Sequence, residues 1–127
     1  MRRPVLAAAL ALLAGPALAD ATGRWATQPN EEGGFLIVDI QPCGEKLCGT
    51  IVEARRDGAV RADYPHLGRK MITDMEPDGP DKWDDGEIWA PDDDKTYSAS
   101  MELNGDVLSV EGCVIVFCRG QDWKRFP

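Results

Sequence analysis

The chain has 127 residues and a formal net charge of −8, with 22 acidic side chains against 14 basic ones and a single histidine. This acidic balance excludes the clustered lysine and arginine surface that nucleic acids require, and one histidine cannot build a multi-histidine metal centre. The length allows one domain with a modest core. We therefore expect no nucleic-acid partner.

The first 19 residues have the pattern of a secretory signal peptide. Two arginines precede an apolar run over residues 5–14, and an A-L-A cleavage motif ends at Ala19. A membrane anchor is the alternative, but about a dozen apolar residues are too few to span a bilayer comfortably. We predict cleavage before Asp20, which removes two arginines and changes the net charge from −8 to −10. Residues 20–127 are then expected to form a single domain, periplasmic or secreted, without a membrane span.

The cysteines occur as two pairs with the same spacing, Cys43 with Cys48 and Cys113 with Cys118. In a small exported chain they indicate disulfides, although four cysteines allow three connectivities. The local pairing is favoured, because each pair flanks a short segment between two strand-like runs that would bring the cysteines face to face. A zinc site is the alternative, but the spacing differs from the close C-x-x-C of a zinc knuckle. We predict no metal and no cofactor.

Short runs with strand-like composition and alternation lie along the chain after the leader. The first lies at residues 23–27, and a hairpin is predicted from Phe35 to Ala54. A second hairpin turns at Asn104-Gly105-Asp106, where asparagine and glycine accept positive φ angles. The last strand is predicted at residues 121–125. Because no stretch has helical periodicity, these features predict an all-β barrel or sandwich.

The segment from Ala59 to Asp85 is predicted to be mostly loop, because prolines interrupt any continuous element and only residues 70–72 resemble a strand. Within it begins an acidic stretch, Asp74 to Glu87, in which Trp83 is expected to be exposed. A long, acidic loop of this kind predicts, as an alternative function, the docking of a basic envelope protein.

The tryptophans suggest how a barrel would close. Trp25 lies on the first predicted strand, and Trp123 lies on the last one beside Arg125. An arginine placed across a tryptophan ring would join these strands through a cation–π contact and remove the open edges of the sheet. Core packing is the simpler interpretation for each single tryptophan.

No group of residues predicts catalysis. Asp63 and His66 could form part of a catalytic triad, but the serines that would complete it lie on regular strands rather than in a G-x-S-x-G turn. The run Asp92-Asp93-Asp94 offers oxygen atoms to Ca²⁺, but it lacks the D-x-[DN]-x-[DN]-G pattern of a calcium loop. We predict no catalytic residues and no enzyme activity.

Several short motifs, in order and spacing, resemble the DUF2147 family of small exported bacterial proteins. They are G-R-W at Gly23, C-G-T-I at Cys48, G-E-I-W-A-P and K-T-Y between Gly86 and Tyr97, L-S-V-E-G at Leu108, and W-K-R near the end. The family is similar to lipocalins, which implies a small closed antiparallel barrel of the calycin type. In calycins a G-x-W on the first strand is covered by a basic side chain from the last strand. This resemblance implies that Gly23, Trp25 and Arg125 close the barrel.

An exported, non-enzymatic binding protein is the function that these features predict. The interior of an eight-stranded barrel is either filled by side chains or holds one small ligand. We predict that it holds a small apolar or amphipathic molecule. The predicted lining consists of inward-facing strand residues: Leu36, Val38, Ile40, Ile51, Ile88, Tyr97, Met101 and Val110. A shift of one residue in any strand would exchange the inward and outward sets.

Overall fold

The structure, a computed structural model, describes residues 20–127, so the predicted signal peptide lies outside the described residues. The described part of the chain is built of strands, and it includes no helix long and apolar enough to cross a membrane. The strands are β1 Gly23–Ala26, β2 Phe35–Cys43, β3 Lys46–Arg56, β4 Ala59–Val60, β5 Lys70–Pro77, β6 Lys82–Ala90, β7 Lys95–Asn104, β8 Val107–Val114 and β9 Phe117–Arg125.

Eight of these strands form a closed antiparallel barrel. Strands β5 to β9 pair in sequence, β9 pairs with β1, β1 pairs with β2, and β3 joins β2 to β5. The short strand β4 pairs only with the last residues of β3 and is not part of the closed ring of strands. The closed arrangement removes the open edges that a flat sheet would leave. It confirms the predicted all-β class and the predicted closed barrel.

Both local disulfides are formed, as the cysteine spacing predicts. Cys43 and Cys48 are bonded diagonally across the β2–β3 hairpin, because Cys43 is paired with Lys46 and Cys48 with Gln41, and their Cα–Cα distance is 5.8 Å. Cys113 and Cys118 are paired directly across the β8–β9 hairpin at 4.1 Å. Each bond therefore covalently closes a hairpin turn.

One end of the barrel is closed by Trp25 and Arg125. The two residues are paired across β1 and β9, and the Arg125 guanidinium carbon lies 4.2 Å from the centre of the Trp25 ring. The Trp25 Nε1 donates to the Ala21 carbonyl at 2.9 Å, and Arg125 Nη1 donates to the Thr22 carbonyl at 3.0 Å. Gly23, with a φ of 116°, leaves room for the guanidinium, because a side-chain carbon there would lie 3.2 Å from Nη1. The segment before β1 is thus held over this end.

Large side chains fill the barrel interior near the closed end. Trp25, Ile40, Leu108 and Trp123 have no exposed surface, and they belong to one continuous apolar cluster. Leu108 and Trp123 are paired across β8 and β9, and Trp25 and Ile40 lie two residues apart in the pairing of β1 with β2. This half of the barrel is a packed core.

The prediction that the chain is loop through the acidic stretch is wrong. The stretch Asp74 to Glu87 spans most of the β5–β6 hairpin, and Trp83 is only 8% exposed and packs in the core. The prolines do not interrupt strands here, because Pro77 ends β5 and Pro80 lies in the turn. The carboxylates are exposed while Met75 and Trp83 point inward. The pattern is therefore that of a half-buried hairpin with an acidic outer face.

Candidate ligand-binding cavity

The barrel is hollow at the end opposite Trp25 and Arg125. A cavity of about 760 Å³ lies there, bounded by the strand ends and by the loops that connect β1 to β2, β3 to β5, and β6 to β7. This volume is within the range of about 300–1,000 Å³ that small-molecule sites have. The barrel therefore consists of a packed half and an open half.

The deeper wall of the cavity is apolar. It is formed by side chains from β2, β5, β6, β8 and β9, namely Leu36, Met71, Ile88, Val110 and Trp123. Gly112 lets Ile88 and Tyr97 pack closely against β8, because a side-chain carbon at this position would lie 3.1 Å from Ile88 Cγ2 and 3.3 Å from Tyr97 Cβ. An apolar group that enters the cavity would be removed from water on several sides.

The predicted lining residues divide between the two halves of the barrel. Four of them line the cavity: Leu36, Ile88, Tyr97 and Val110. The other four are buried in the apolar cluster of the barrel interior and do not line this cavity: Val38, Ile40, Ile51 and Met101. Both groups face inward. A residue's position along its strand determines whether its side chain lies in the packed half or in the open half of the barrel.

The rim of the cavity is polar and carries more positive than negative charge. Its basic side chains are Arg55, Arg56, Arg61, Lys95 and Arg119, and its acidic ones are Asp63, Asp92 and Asp93. The chain as a whole has a net charge of −8. The rim therefore has a local charge opposite to that of the rest of the surface.

Two tyrosines lie at the rim beside carboxylates. The Tyr97 hydroxyl donates to Asp93 Oδ2 at 3.2 Å. Burial, followed by the hydrogen bond to Asp93 and its negative charge, raises the pKa of Tyr97, while the positive charge of Arg119 acts in the opposite direction. Burial and then the charge of Asp92 raise the pKa of Tyr64. Both phenols are therefore neutral hydrogen-bonding groups at physiological pH.

We expect Asp93→Asn to lower the pKa of Tyr97, because the substitution removes the negative charge that disfavours the phenolate. A raised folded-state pKa stabilises the fold below the unfolded pKa of about 10, and this contribution is lost as the pH rises through the folded value. The variant should therefore lose less stability than the native protein at alkaline pH. Ultraviolet titration of the two tyrosines of the chain measures the shift. Tyr64 is the internal control, and an unchanged Tyr97 titration would contradict the prediction.

The loop between β4 and β5 packs against the outer face of β6. The Arg69 guanidinium carbon lies 3.4 Å from the centre of the Trp89 ring, and the His66 ring lies edge-on to the same ring at 5.0 Å. The Trp89 Nε1 donates to Asp94 Oδ1 at 2.9 Å, which holds the β6–β7 turn. Asp63 pairs with Arg61, at 3.7 Å, and forms no hydrogen bond with His66 among residues 20–127. His66 thus serves aromatic packing.

The tip of the β8–β9 hairpin exposes apolar side chains at the cavity mouth. Ile115 and Val116 are 93% and 92% exposed, and Phe117 is also exposed. Val114 and Phe117 reach the cavity lining, and the Cys113–Cys118 bond closes the hairpin just below the tip. Because these sulfur atoms are bonded to each other, they do not provide the thiolates that a zinc site needs.

Several lining residues were absent from the sequence prediction. On β9 the side chains of Phe117, Arg119, Gln121 and Trp123 all line the cavity, while the residues between them do not. Counting back from Trp123 in steps of two would have found them, since alternate residues of a strand share a face. Lys95 would have followed from Tyr97 in the same way. Arg119, Gln121 and Lys95 are charged or polar, so they did not resemble the apolar side chains expected inside a barrel.

Comparison with known proteins agrees with this architecture. Residues 23–125 match the model of a family described as "Uncharacterized protein conserved in bacteria (DUF2147)". Among solved structures, the chain is similar to protein HP1028 from the human pathogen Helicobacter pylori, which is described as belonging to the lipocalin family. The TM-score is 0.71 over 87% of this chain and 85% of that one, and the identity of 16% limits the likeness to the fold. None of the curated proteins compared with the chain matches it.

Proposed function

We propose that this chain, which belongs to the DUF2147 family of bacterial proteins, binds one small amphipathic molecule in the open half of its barrel. The observation that carries the proposal is the cavity of about 760 Å³ with an apolar wall and a polar rim. Such a site takes the apolar part of a ligand inside and leaves its polar part at the mouth. The lipocalin-like fold supports a binding role by analogy.

Export to the periplasm or out of the cell is part of the proposal. Two disulfides are expected in an oxidising compartment and are rare in the bacterial cytosol. The predicted signal peptide over residues 1–19 gives a route to that compartment. The packing of His66 between Tyr64 and Trp89 favours binding over hydrolysis, because the ring is occupied by aromatic contacts.

Native mass spectrometry of the protein purified from its own periplasm tests the proposal. We expect a small molecule in stoichiometric amount, which organic extraction then identifies. In Leu36→Trp the larger side chain should occupy the cavity, and the bound molecule should be lost. Val52→Trp is the matched control, because Val52 is 42% exposed on β3 and lies outside the cavity lining.

Either of two results would contradict the proposal. The first is bare native protein at the mass expected for two disulfides. The second is a folded Leu36→Trp variant that carries the same molecule as the control. Circular dichroism of both variants shows whether each is folded before the masses are compared.

The acidic outer face of the β5–β6 hairpin supports a second candidate function, the docking of a basic envelope protein. Seven carboxylates are exposed there: Asp74, Glu76, Asp78, Asp81, Asp84, Asp85 and Glu87. Among the described residues only Glu76 has a basic partner, Lys46 at 3.3 Å. Trp83 cannot contribute to such docking, because it is buried. Bare protein in the mass measurement would leave this surface as the stronger candidate.

A further inference from the structure

The cations of the cavity rim are not equivalent. Three of the five already form ion pairs within the described residues: Arg55 with Glu53, which also pairs with Arg24, Arg56 with Glu32, and Arg61 with Asp63. The remaining two, Lys95 and Arg119, form no ion pair with any residue in the range 20–127. Lys95 and Arg119 are therefore the two rim cations that are free to pair with a molecule in the cavity, and the rim carboxylates Asp92 and Asp93 likewise form no ion pair within the described residues.

Arg119 and Lys95 both point toward the cavity. On β9, Arg119 lies on the same face as Gln121 and Trp123, and all three line the cavity. On β7, Lys95 shares a face with Tyr97, which also lines it. An outward-facing arginine or lysine would be solvated on all sides, whereas these two charges lie at the boundary between water and an apolar wall.

The register of β8 places Arg119 opposite a glycine. Arg119 is paired with Gly112, and the missing side chain lets Ile88 and Tyr97 pack closely against β8 at this position. Gly112 is in turn paired with Ala99, which is also small. Below Arg119 the cavity wall continues with Gln121, which is paired with Val110, and then with Trp123. The donor group thus lies at the mouth, and the apolar surface of Val110 and Trp123 lies deeper on the same wall.

We propose that the ligand is an anionic amphiphile, whose carboxylate binds Arg119 and Lys95 while its apolar chain lies against Ile88, Val110 and Trp123. This inference depends on the proposed binding function and adds the charge of the head group. Arginine is suited to the role because its planar guanidinium donates two parallel hydrogen bonds to a carboxylate.

The test compares probes with the same chain and different head groups. Dodecanoate, dodecanol and dodecyltrimethylammonium are titrated into delipidated protein, below the concentrations at which they form micelles, with calorimetry as the measurement. We expect dodecanoate to bind about tenfold more tightly than dodecanol, which corresponds to one charge-assisted interaction. The cationic probe should bind least tightly, because it is repelled by the same two residues.

Variants then assign the preference to the proposed residues. In Lys95→Gln/Arg119→Gln the preference for dodecanoate over dodecanol should disappear, while the affinity for dodecanol is unchanged. Lys70→Gln/Lys124→Gln is the matched control, because both lysines are exposed strand residues outside the cavity lining and the double substitution removes the same two charges. This control should keep the tenfold preference.

The outcomes separate the two proposals. If dodecanol binds and dodecanoate binds no more tightly, the anionic head group is wrong and the binding function stands. If Lys70→Gln/Lys124→Gln loses the preference as fully as Lys95→Gln/Arg119→Gln, the preference depends on net charge alone, and the assignment to Arg119 and Lys95 is wrong. If none of the three probes binds, both this inference and the apolar cavity function are contradicted.

Discussion

Trp25→Ala is expected to lower the free energy of unfolding by about 3–5 kcal/mol, the usual cost of removing a buried tryptophan. Trp25 has no exposed surface and lies at the centre of the packed half of the barrel. The substitution also removes the ring under the Arg125 guanidinium and the donor to the Ala21 carbonyl. The loss is large for a small domain, whose total stability is about 5–15 kcal/mol.

Urea unfolding followed by circular dichroism measures this effect. Phe117→Ala is the matched control, because it also removes an aromatic ring but from a position that is 68% exposed. It should change the free energy of unfolding by less than about 0.5 kcal/mol. Equal losses in the two variants would show that the closed end of the barrel is not the stabilising core described above.

Gly86→Ala is expected to lower the free energy of unfolding by about 1–3 kcal/mol, although it adds a single methyl group. A side-chain carbon at Gly86 would lie 2.7 Å from the Thr73 carbonyl oxygen and 3.0 Å from Met75 Cα, and it would overlap Met75 Sδ. The methionine side chain can move, but the backbone of the paired strand β5 cannot yield without losing its register.

Gly120→Ala is the control for this substitution. Gly120 lies on β9, and its nearest neighbour would be the Val110 carbonyl oxygen at an ordinary contact distance of 3.6 Å. Alanine there should leave the stability nearly unchanged or raise it slightly, because glycine is unfavourable inside a strand. Thermal unfolding of both variants decides the matter, and a Gly86→Ala protein as stable as Gly120→Ala would contradict the close approach of β5 and β6.

Local rules were sufficient to predict the class of the fold. Alternation over residues 96–103, the turn at Gly105 and the two cysteine pairs all depend on neighbours close in sequence, and the structure confirms them. The acidic hairpin was missed because its prolines and carboxylates are typical of loops. In the structure the prolines occupy the end of β5 and the turn, where a strand tolerates them.

The division of the barrel into a packed half and an open half could not be predicted from the sequence. Val38 and Leu36 are both inward-facing residues of β2, yet only Leu36 lines the cavity. The difference depends on how many large side chains from other strands meet at each level. Val38 is paired with the large ring of Trp25 across β1 and β2, whereas Leu36 lies two residues nearer the mouth, beyond the end of β1.

The closure by Trp25 and Arg125 also determines how a cavity of this kind exchanges its contents. A channel with two openings allows an incoming molecule to push the resident one out, but here the inner end is sealed by packed side chains. Arrival and departure must use the same mouth, one after the other. For the proposed ligand, the exchange rate would then be set by its own dissociation, and raising the concentration of a competitor would not accelerate it.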